Sequence, residues 1–532
     1  LFYYTLGNLK PWYRSSIRSI QLIAVAKTCD IRQFGIEKLL MPFISGVNEL
    51  AKDEGWKTNL LTGERVFRGT LVAFSADTLG SHYVGGFVEG VGTSLRKCRS
   101  CWCIGADMYL KFTAEQFQER TLRQHMQICD MSEDPDLYSF VKTTFGITKR
   151  SVLSKIRYFD ITKHFPHDVM HDLYEGVLPY EMKLLLQHVT GNSGGPVLIR
   201  LADINRRIED YDYDYPDKKN KPISISKNIL REDSQDTLKE SAVQMVCLAF
   251  HLPFLIGDII EDEDRKWKCF ILLLKITSIC SAYEIKNEHI HVLRILIAEH
   301  HTLFREVYPN TSIIPKMHFM VHYPSQILRF GPLRNVWCMR FEAKNSYFKS
   351  LPLRNFKNIS KTIATRHQGY MCMNLLGEPG KSAPNYLYRG DEVAESVPVL
   401  LQLHKCWQTL REVLRVGDGA VPEAFSTNCA TIHGIEYRAG CCLYIGETEL
   451  YPCFGTLKEI LVIQDEKFFV IQPRITSCYS EKLLAYNVGP DLGEEFTTTF
   501  LELKYKFVVS KRVMDGQLYV QFTKWGDVEL DL

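Results

Sequence analysis

The chain has 532 residues, a length that accommodates two to four domains. Hydrophobic residues make up 45% of it, enough for extensive cores, and charged residues make up 24%, which is ordinary for a soluble protein. The formal net charge of +2 excludes a strong overall basic field, so any contact with nucleic acid has to be local.

The apolar residues indicate neither a membrane span nor a secreted protein. The richest apolar run, residues 270–274, is short and is broken by Lys275. The N-terminal sequence lacks the pattern of a signal peptide. Most of the 16 cysteines stand singly in apolar surroundings, as Cys247 and Cys280 do, which is typical of buried reduced thiols. We therefore expect an intracellular protein in a reducing compartment.

The N-terminal part predicts alternating strands and helices. Residues 1–8 and 17–27 are rich in β-branched and aromatic residues and predict two strands. Helical periodicity predicts a helix over 31–53, and a further strand is predicted over 64–76, ending at Asp77. Functional acids in α/β folds lie at the carboxyl ends of strands, but an aspartate before a helix is also a common N-cap. Both interpretations of Asp77 remain open.

A cysteine cluster follows at residues 98–103. Cys98-x-x-Cys101 is a half-site for zinc, because two thiolates on one tight turn fill two tetrahedral positions. A lone motif of this kind is also compatible with redox chemistry or chance. The sequence has no second such motif, so the remaining ligands have to come from elsewhere, and His318 and His322, one helical turn apart, are the best candidates.

A strong helical pattern covers residues 165–189. His167, Asp168, His171 and Glu175 are spaced to share one face of this helix. They could bind a metal ion, or they could form the capped polar start of a helix.

Core helices are predicted over 234–308 and a further helix over 357–376. From 434 to 532 the pattern changes to short alternating strands separated by Gly and Pro turns, which indicates a small all-β barrel or sandwich. Between these parts, Glu342 is flanked by basic residues, as expected of a ligand for a catalytic ion that faces phosphate.

Three segments taken in order resemble a CACTA-type (En/Spm-like) DNA transposase. They are ADTLGSHYVGGF with the following CRSC, then FPHDVMHDLYEGV, then MHFMVHYPSQILRFGPLRNVWCMRFEAKN. The resemblance covers roughly residues 1–375, and its motif order is related to that of the Transib and V(D)J-type recombinases. The β-rich C-terminal region resembles the tail of some animal members.

The resemblance implies an α/β RNase H-like core, incomplete at its N-terminus, that carries an Asp, Asp, Glu triad. Asp77 corresponds to the second Asp and Glu342 to the Glu, and both would be catalytic and would bind Mg²⁺ or Mn²⁺. Phosphodiester cleavage and strand transfer use two such ions, about 4 Å apart, on hard oxygen ligands.

Further roles are also implied by the resemblance. Asp168 and His171 would line the groove or act as alternative metal ligands. A structural zinc site would consist of Cys98, Cys101, His318 and His322. DNA phosphate would be contacted by Arg334, Arg340 and Lys344.

The resemblance over residues 1–375 and the sequence pattern beyond it together predict five parts. They are the first part of the core (1–97), the CxxC and a helical insertion (98–310), the last part of the core (311–376), linker helices (377–433) and the C-terminal β domain (434–532).

The first Asp of the triad is expected on a strand before LFYYTLGNL. Asp30, the nearest upstream acid, lies at the predicted start of a helix instead. We therefore expect something structural to precede Leu1, and we expect the chain as given to be unable to cleave DNA.

Three functions follow as hypotheses. The first is a transposase-derived catalytic region for DNA cleavage and strand transfer, inactive for want of the first Asp. The second is a domesticated, non-catalytic DNA- or chromatin-binding protein. The third is a zinc-dependent hydrolase that uses His167, Asp168 and His171. For the first two we expect a nuclear protein with DNA as partner, self-association into a homo-oligomer, no membrane and no small-molecule substrate.

Overall fold

The computed structural model describes residues 1–352, 357–376, 391–414 and 421–524. The α-helices are α1 (Pro11–Arg14), α2 (Thr28–Phe34), α3 (Ile36–Leu50), α4 (Thr78–Gly85), α5 (Leu122–Ser132), α6 (Pro135–Phe145), α7 (Leu178–Val189), α8 (Leu201–Asp210), α9 (Ala242–Ile256), α10 (Arg265–Ser281), α11 (Asn287–Val307), α12 (Pro315–Met320), α13 (Tyr323–Phe330), α14 (Met339–Lys349), α15 (Ile359–Leu376) and α16 (Trp407–Leu414).

The β-strands are β1 (Phe2–Tyr4), β2 (Gln21–Ala24), β3 (Trp56–Leu60), β4 (Gly63–Phe67), β5 (Glu392–Val393), β6 (Ser396–Val399), β7 (Ala424–Thr427), β8 (Cys429–Ile432), β9 (Ile435–Arg438), β10 (Cys442–Glu447), β11 (Pro452–Ile463), β12 (Glu466–Ser480), β13 (Ala485–Asp491), β14 (Phe496–Thr499), β15 (Ser510–Met514) and β16 (Gln517–Gln521).

The chain forms two compact units. Among the described residues, the first unit contains 1–178 and 279–376, and the second contains 179–278 and 391–524. The predicted insertion, 98–310, is thus divided between the two units, and its middle part belongs to the same unit as the β-rich C-terminal region.

The first unit combines helices with small antiparallel sheets. In the part of it that the structure describes, β1 pairs with β2, and β3 with β4 forms an exposed hairpin. The strand predicted over 64–76 ends at Phe67, because the chain then leaves the hairpin: the Thr70 hydroxyl donates to the Arg157 carbonyl and the Phe74 amide to the His164 carbonyl.

The helix predicted over 31–53 is two helices, α2 and α3. They are separated at Gly35, whose φ of 82° lies in the left-handed region that glycine tolerates. The buried face of α3 consists of Ile36, Leu40, Ile44 and Val47. It packs with residues of α4, α5 and the 147–165 segment in one apolar core, and each such side chain contributes roughly 1.5–3 kcal/mol of burial energy.

The second unit contains a curled antiparallel sheet, a half-barrel. Its strands run in the order β15-β16-β13-β12-β11-β7-β6, with β10 also on β11 and β14 on β12. The long strands β11 and β12 are joined at Gln464 and Asp465, whose φ angles are 50° and 67°. Two positive φ angles are those of a type I′ turn, whose twist matches that of the flanking strands.

The predicted linker helices over 377–433 lie partly outside the described residues, at 377–390 and 415–420. In the described part, α16 is helical, but β5 to β8 are strands. The sequence did not reveal these strands because they are short and their pairing partners lie far away: β6 pairs with β7, which pairs with β11.

One helical stretch in the described part of the chain, Ala242–Ile259, is long and apolar enough by composition to cross a membrane. Within the structure 72% of that stretch is buried, which is typical of the core helix of a globular unit.

Candidate metal centres

A tight turn over residues 97–103 presents two cysteines to the interior of the first unit. A 3.0 Å backbone hydrogen bond joins its ends, from the Lys97 amide to the Cys103 carbonyl. The Ser100 amide lies 3.3 Å from the Cys98 Sγ. Cys98 is 2% exposed and Cys101 is fully buried.

The two histidines come from a break between helices rather than from one helix. His318 lies near the end of α12, and His322 directly precedes α13. Pro324, in the first turn of α13, has no amide hydrogen, so the helical ladder cannot run through it unbroken. The spacing of one turn is nevertheless kept, and the two imidazole rings lie 5.2 Å apart.

The structure brings Cys98, Cys101, His318 and His322 together. Their ligand atoms all lie within 4.8 Å of one another, with 3.4 Å from Cys98 Sγ to His322 Nε2 and 3.3 Å from Cys101 Sγ to His318 Nε2. Zn–S bonds of about 2.3 Å and Zn–N bonds of about 2.0–2.1 Å place tetrahedral S and N ligands roughly 3.5 Å apart. Two thiols and two imidazoles at these distances could hold a metal ion. We call this group the Cys/His centre.

Arg120, which sequence reasoning missed, supports the turn. Its side chain is 1% exposed and donates to the backbone carbonyls of Cys98 (2.9 Å), Cys101 (3.3 Å) and Phe145 (2.9 Å). The guanidinium also lies 4.0 Å above the Trp102 ring. No motif marks an arginine 19 and 22 residues beyond the cysteines it holds, so no sequence pattern indicated its role.

A second group of polar side chains surrounds Asp168 and His171. One Asp168 carboxylate oxygen accepts from the Cys338 amide at 2.9 Å, and the other is hydrogen-bonded to His171 Nδ1. His171 Nε2 lies 3.2 Å from a Glu342 carboxylate oxygen. His171 belongs to a π-helical stretch, Met170–Val177, a rare conformation that is frequent at functional sites.

Asp77 is the N-cap of α4. Its carboxylate accepts a hydrogen bond from the Gly80 amide at 2.6 Å, so the prediction that Asp77 is an N-cap is confirmed. Burial is the main cause of the raised pKa of both Glu342 and Cys338, and the charge of Asp77 adds to both, so Asp77 lies within electrostatic reach of that group. Capping therefore does not exclude a functional role.

The charges of this group are strongly coupled. Burial raises the pKa of Glu342; His171 opposes that rise, and Glu175, Asp168 and Asp77 add to it. Burial by itself lowers the pKa of His171, but the hydrogen bond to Asp168 and the surrounding carboxylates outweigh it and raise that pKa to about 9. The carboxylates of Asp168, Glu342 and Glu175 thus act on His171, and that of Asp77 acts on Glu342; we call these five residues the acidic centre.

His167 belongs with the Cys/His centre instead. Its Nε2 lies 3.9 Å from the Cys98 Sγ, and its ring stacks on Phe319 at 4.4 Å. Among the described residues, the group that could share a metal ion with Asp168 and His171 adds Cys338, and it includes neither His167 nor the predicted ligands Asp77 and Glu342. The three residues of the hydrolase hypothesis are therefore not brought together as one ligand set.

The three side chains that were expected to contact DNA phosphate form hydrogen bonds within the protein. Each donates to a backbone carbonyl: Arg334 at 3.0 Å, Arg340 at 2.6 Å and Lys344 at 2.9 Å. Arg334 also lies 3.3 Å above the Tyr283 ring. Lys344 is only 1% exposed, so the prediction that it contacts DNA phosphate is wrong for this conformation. Helical periodicity turns it toward the aromatic side of α14.

The second unit holds another buried group, Asp217, Cys247 and His251. Here Arg512, 2% exposed, donates to an Asp217 carboxylate oxygen at 2.9 Å and contributes to lowering the pKa of His251. A buried cation beside the carboxylate disfavours a metal ion at this place.

Comparison with known proteins gives no relative: no protein-family model, no curated protein and no solved structure matches the chain.

Proposed function

We propose that this chain is the catalytic region of a transposase-derived protein, built on an RNase H-like core for DNA cleavage and strand transfer. One observation carries the proposal: segments about 170 residues apart meet at the acidic centre, where His171 is hydrogen-bonded to Asp168 and its Nε2 lies 3.2 Å from a Glu342 carboxylate oxygen. The order of these motifs in the chain, with the Cys/His centre in the same unit, is the order that the transposase resemblance implies.

The acidic centre supplies the donor atoms that Mg²⁺ or Mn²⁺ prefers. Carboxylate oxygens of Asp77, Asp168 and Glu342 are hard ligands for such ions. When bound, two divalent ions activate the attacking oxygen and stabilise the leaving oxygen of a phosphodiester. The chain's own part is to hold the carboxylates: α4 fixes Asp77, the Cys338 amide fixes Asp168, and His171 orients Glu342.

The Cys/His centre is proposed as a structural zinc site. Its ligands are buried and closed by protein, which suits a structural rather than a catalytic zinc. Metal analysis should give one zinc per chain, lost in Cys98→Ser. Cys103→Ser is the matched control, because Cys103 is equally buried but its thiol faces the Ile104 carbonyl, 3.2 Å away.

Binding of Mn²⁺, followed by electron paramagnetic resonance, tests the acidic centre. Glu342→Gln should weaken binding at least tenfold, since a charged ligand is replaced by a neutral amide. Glu288→Gln, at an exposed position of α11, should leave the affinity unchanged. Equal affinities in the wild type and in Glu342→Gln would refute the assignment of the acidic centre.

Incubation of a form of the chain that also carries the first Asp of the triad, with supercoiled DNA and Mn²⁺, separates the catalytic hypothesis from the binding hypothesis. Nicking that Glu342→Gln abolishes supports a catalytic region. Association with DNA without nicking supports a domesticated DNA- or chromatin-binding protein. In either case DNA is the proposed partner and the nucleus the proposed location, and a homo-oligomer remains part of the proposal.

A further inference from the structure

A short connecting segment, residues 164–168, lies between the two metal centres. It is held from three sides. The Phe74 amide donates to the His164 carbonyl at 2.9 Å, and the His167 amide donates to the Gln326 side-chain oxygen at 3.1 Å. The third hold comes from Arg99. Because the segment ends at Asp168, these contacts set the position of that carboxylate.

Arg99 is part of the metal-binding turn itself, between Cys98 and Cys101. Its side chain is 2% exposed. Nε donates to the Phe165 carbonyl at 3.2 Å and one Nη to the Pro166 carbonyl at 2.7 Å. A residue whose backbone is fixed by the Cys/His centre therefore clamps the backbone that leads to the acidic centre.

A second contact runs in parallel. The Ser100 hydroxyl lies 3.1 Å from His167 Nε2, so two successive residues of the turn hold the connecting segment. Beyond it, Asp168 accepts from the Cys338 amide at 2.9 Å. Cys338 directly precedes α14, the helix that carries Glu342. Hydrogen bonds and the backbone of residues 165–168 thus connect the metal-binding turn to the acidic centre.

Asp172 gives Arg99 an electrostatic role as well. Its carboxylate is 1% exposed and has no hydrogen-bond partner among the described residues. Burial raises the pKa of Asp172 to about 7, and the nearby Arg99 guanidinium opposes that rise. Removal of the Arg99 charge would leave this buried carboxylate with only the weaker compensation of Lys316 and His171.

We propose that Arg99 is a positioning residue that couples the two metal centres, so that zinc at the Cys/His centre raises the affinity of the acidic centre for divalent ions. This inference rests on the proposed function, because it requires that the acidic centre binds such ions. Coupling between two binding sites is reciprocal and typically amounts to about 5–150-fold in affinity.

The test measures Mn²⁺ affinity by electron paramagnetic resonance in the full chain, with zinc content determined for every sample. Arg99→Met keeps the length of the side chain and removes its charge and donors. We expect it to retain one zinc and to bind Mn²⁺ about tenfold more weakly. Arg99→Lys, which keeps the charge and can reach one carbonyl, should restore part of the affinity. Arg123→Met, exposed on α5, is the control and should match the wild type.

Removal of zinc by a chelator completes a double-mutant cycle. In the wild type, zinc removal should weaken Mn²⁺ binding by about the same factor as Arg99→Met. In Arg99→Met, zinc removal should have little further effect. A merely structural role of Arg99 would instead make the two losses multiply.

The outcomes separate this inference from the proposed function. Equal Mn²⁺ affinity of the wild type and zinc-loaded Arg99→Met, with weaker binding in Glu342→Gln, overturns the coupling alone. Equal affinity of the wild type and Glu342→Gln overturns the proposed function and the coupling with it. If the chain unfolds without zinc, the Mn²⁺ affinities of the zinc-loaded Arg99→Met, Arg99→Lys and Arg123→Met samples still decide whether Arg99 couples the two centres.

Discussion

Arg120→Met should loosen the turn that carries Cys98 and Cys101. Arg120 donates to three backbone carbonyls, and a hydrogen bond from a charged donor contributes about 1.5–3 kcal/mol. Its stacking on Trp102 adds up to about 2 kcal/mol. Against this stands a burial cost of several kcal/mol. The same burial lowers the pKa of Arg120 to about 10. We expect a net loss of local stability of about 3 kcal/mol, typical of a broken buried network.

The loss is best measured locally, because a chain of two units does not unfold in a single transition. The Arg120 amide, which donates to the Ser100 carbonyl at 2.9 Å, reports on the turn by hydrogen exchange. A loss of about 3 kcal/mol speeds exchange on the order of a hundredfold. The zinc proposed for the Cys/His centre should also dissociate faster. Exchange within threefold of the wild type, with Arg123→Met as control, would refute the reasoning.

Three further predictions concern other parts of the chain. Burial, together with nearby Arg120, lowers the pKa of His125 to about 4, so between about pH 6.5 and 4 His125 is protonated in the unfolded chain but not in the folded chain. The folded state therefore loses stability as the pH falls through this range. His125→Leu should reduce that loss, measured as the difference in unfolding between pH 7 and pH 4.5. Gly455→Ala places a Cβ 2.3 Å from an Ile471 methyl, which should destabilise the second unit by about 1–3 kcal/mol and lower its unfolding temperature. Gly489→Ala is the control: its Cβ would lie 3.7 Å from the nearest atom, and the unfolding temperature should not change. Cys247→Ser should leave the zinc content at one per chain; a loss of zinc would show that the second unit also holds the metal.

Local patterns predicted several elements well. The apolar spacing of residues 31–53 marked the buried face of α3, because helical periodicity is a property of neighbouring residues. Alternation after residue 434 likewise predicted the strands of the half-barrel. The same reasoning extended β4 too far and assigned helices where β6 and β7 pair, since pairing depends on partners that are distant in sequence.

The sequence by itself determined the chemistry that is available: two thiols on one turn, two imidazoles one helical turn apart, and the acids Asp77 and Glu342. These depend only on residue type and short spacing. The tertiary structure alone decided which of them meet. It placed Cys98 and Cys101 beside His318 and His322 and buried Lys344. It also directed the side chains of the neighbouring residues His167 and Asp168 to different groups, His167 to the Cys/His centre and Asp168 to the acidic centre. It also revealed Arg99 and Arg120, whose roles depend on carbonyl groups that every residue carries and that no sequence motif can mark.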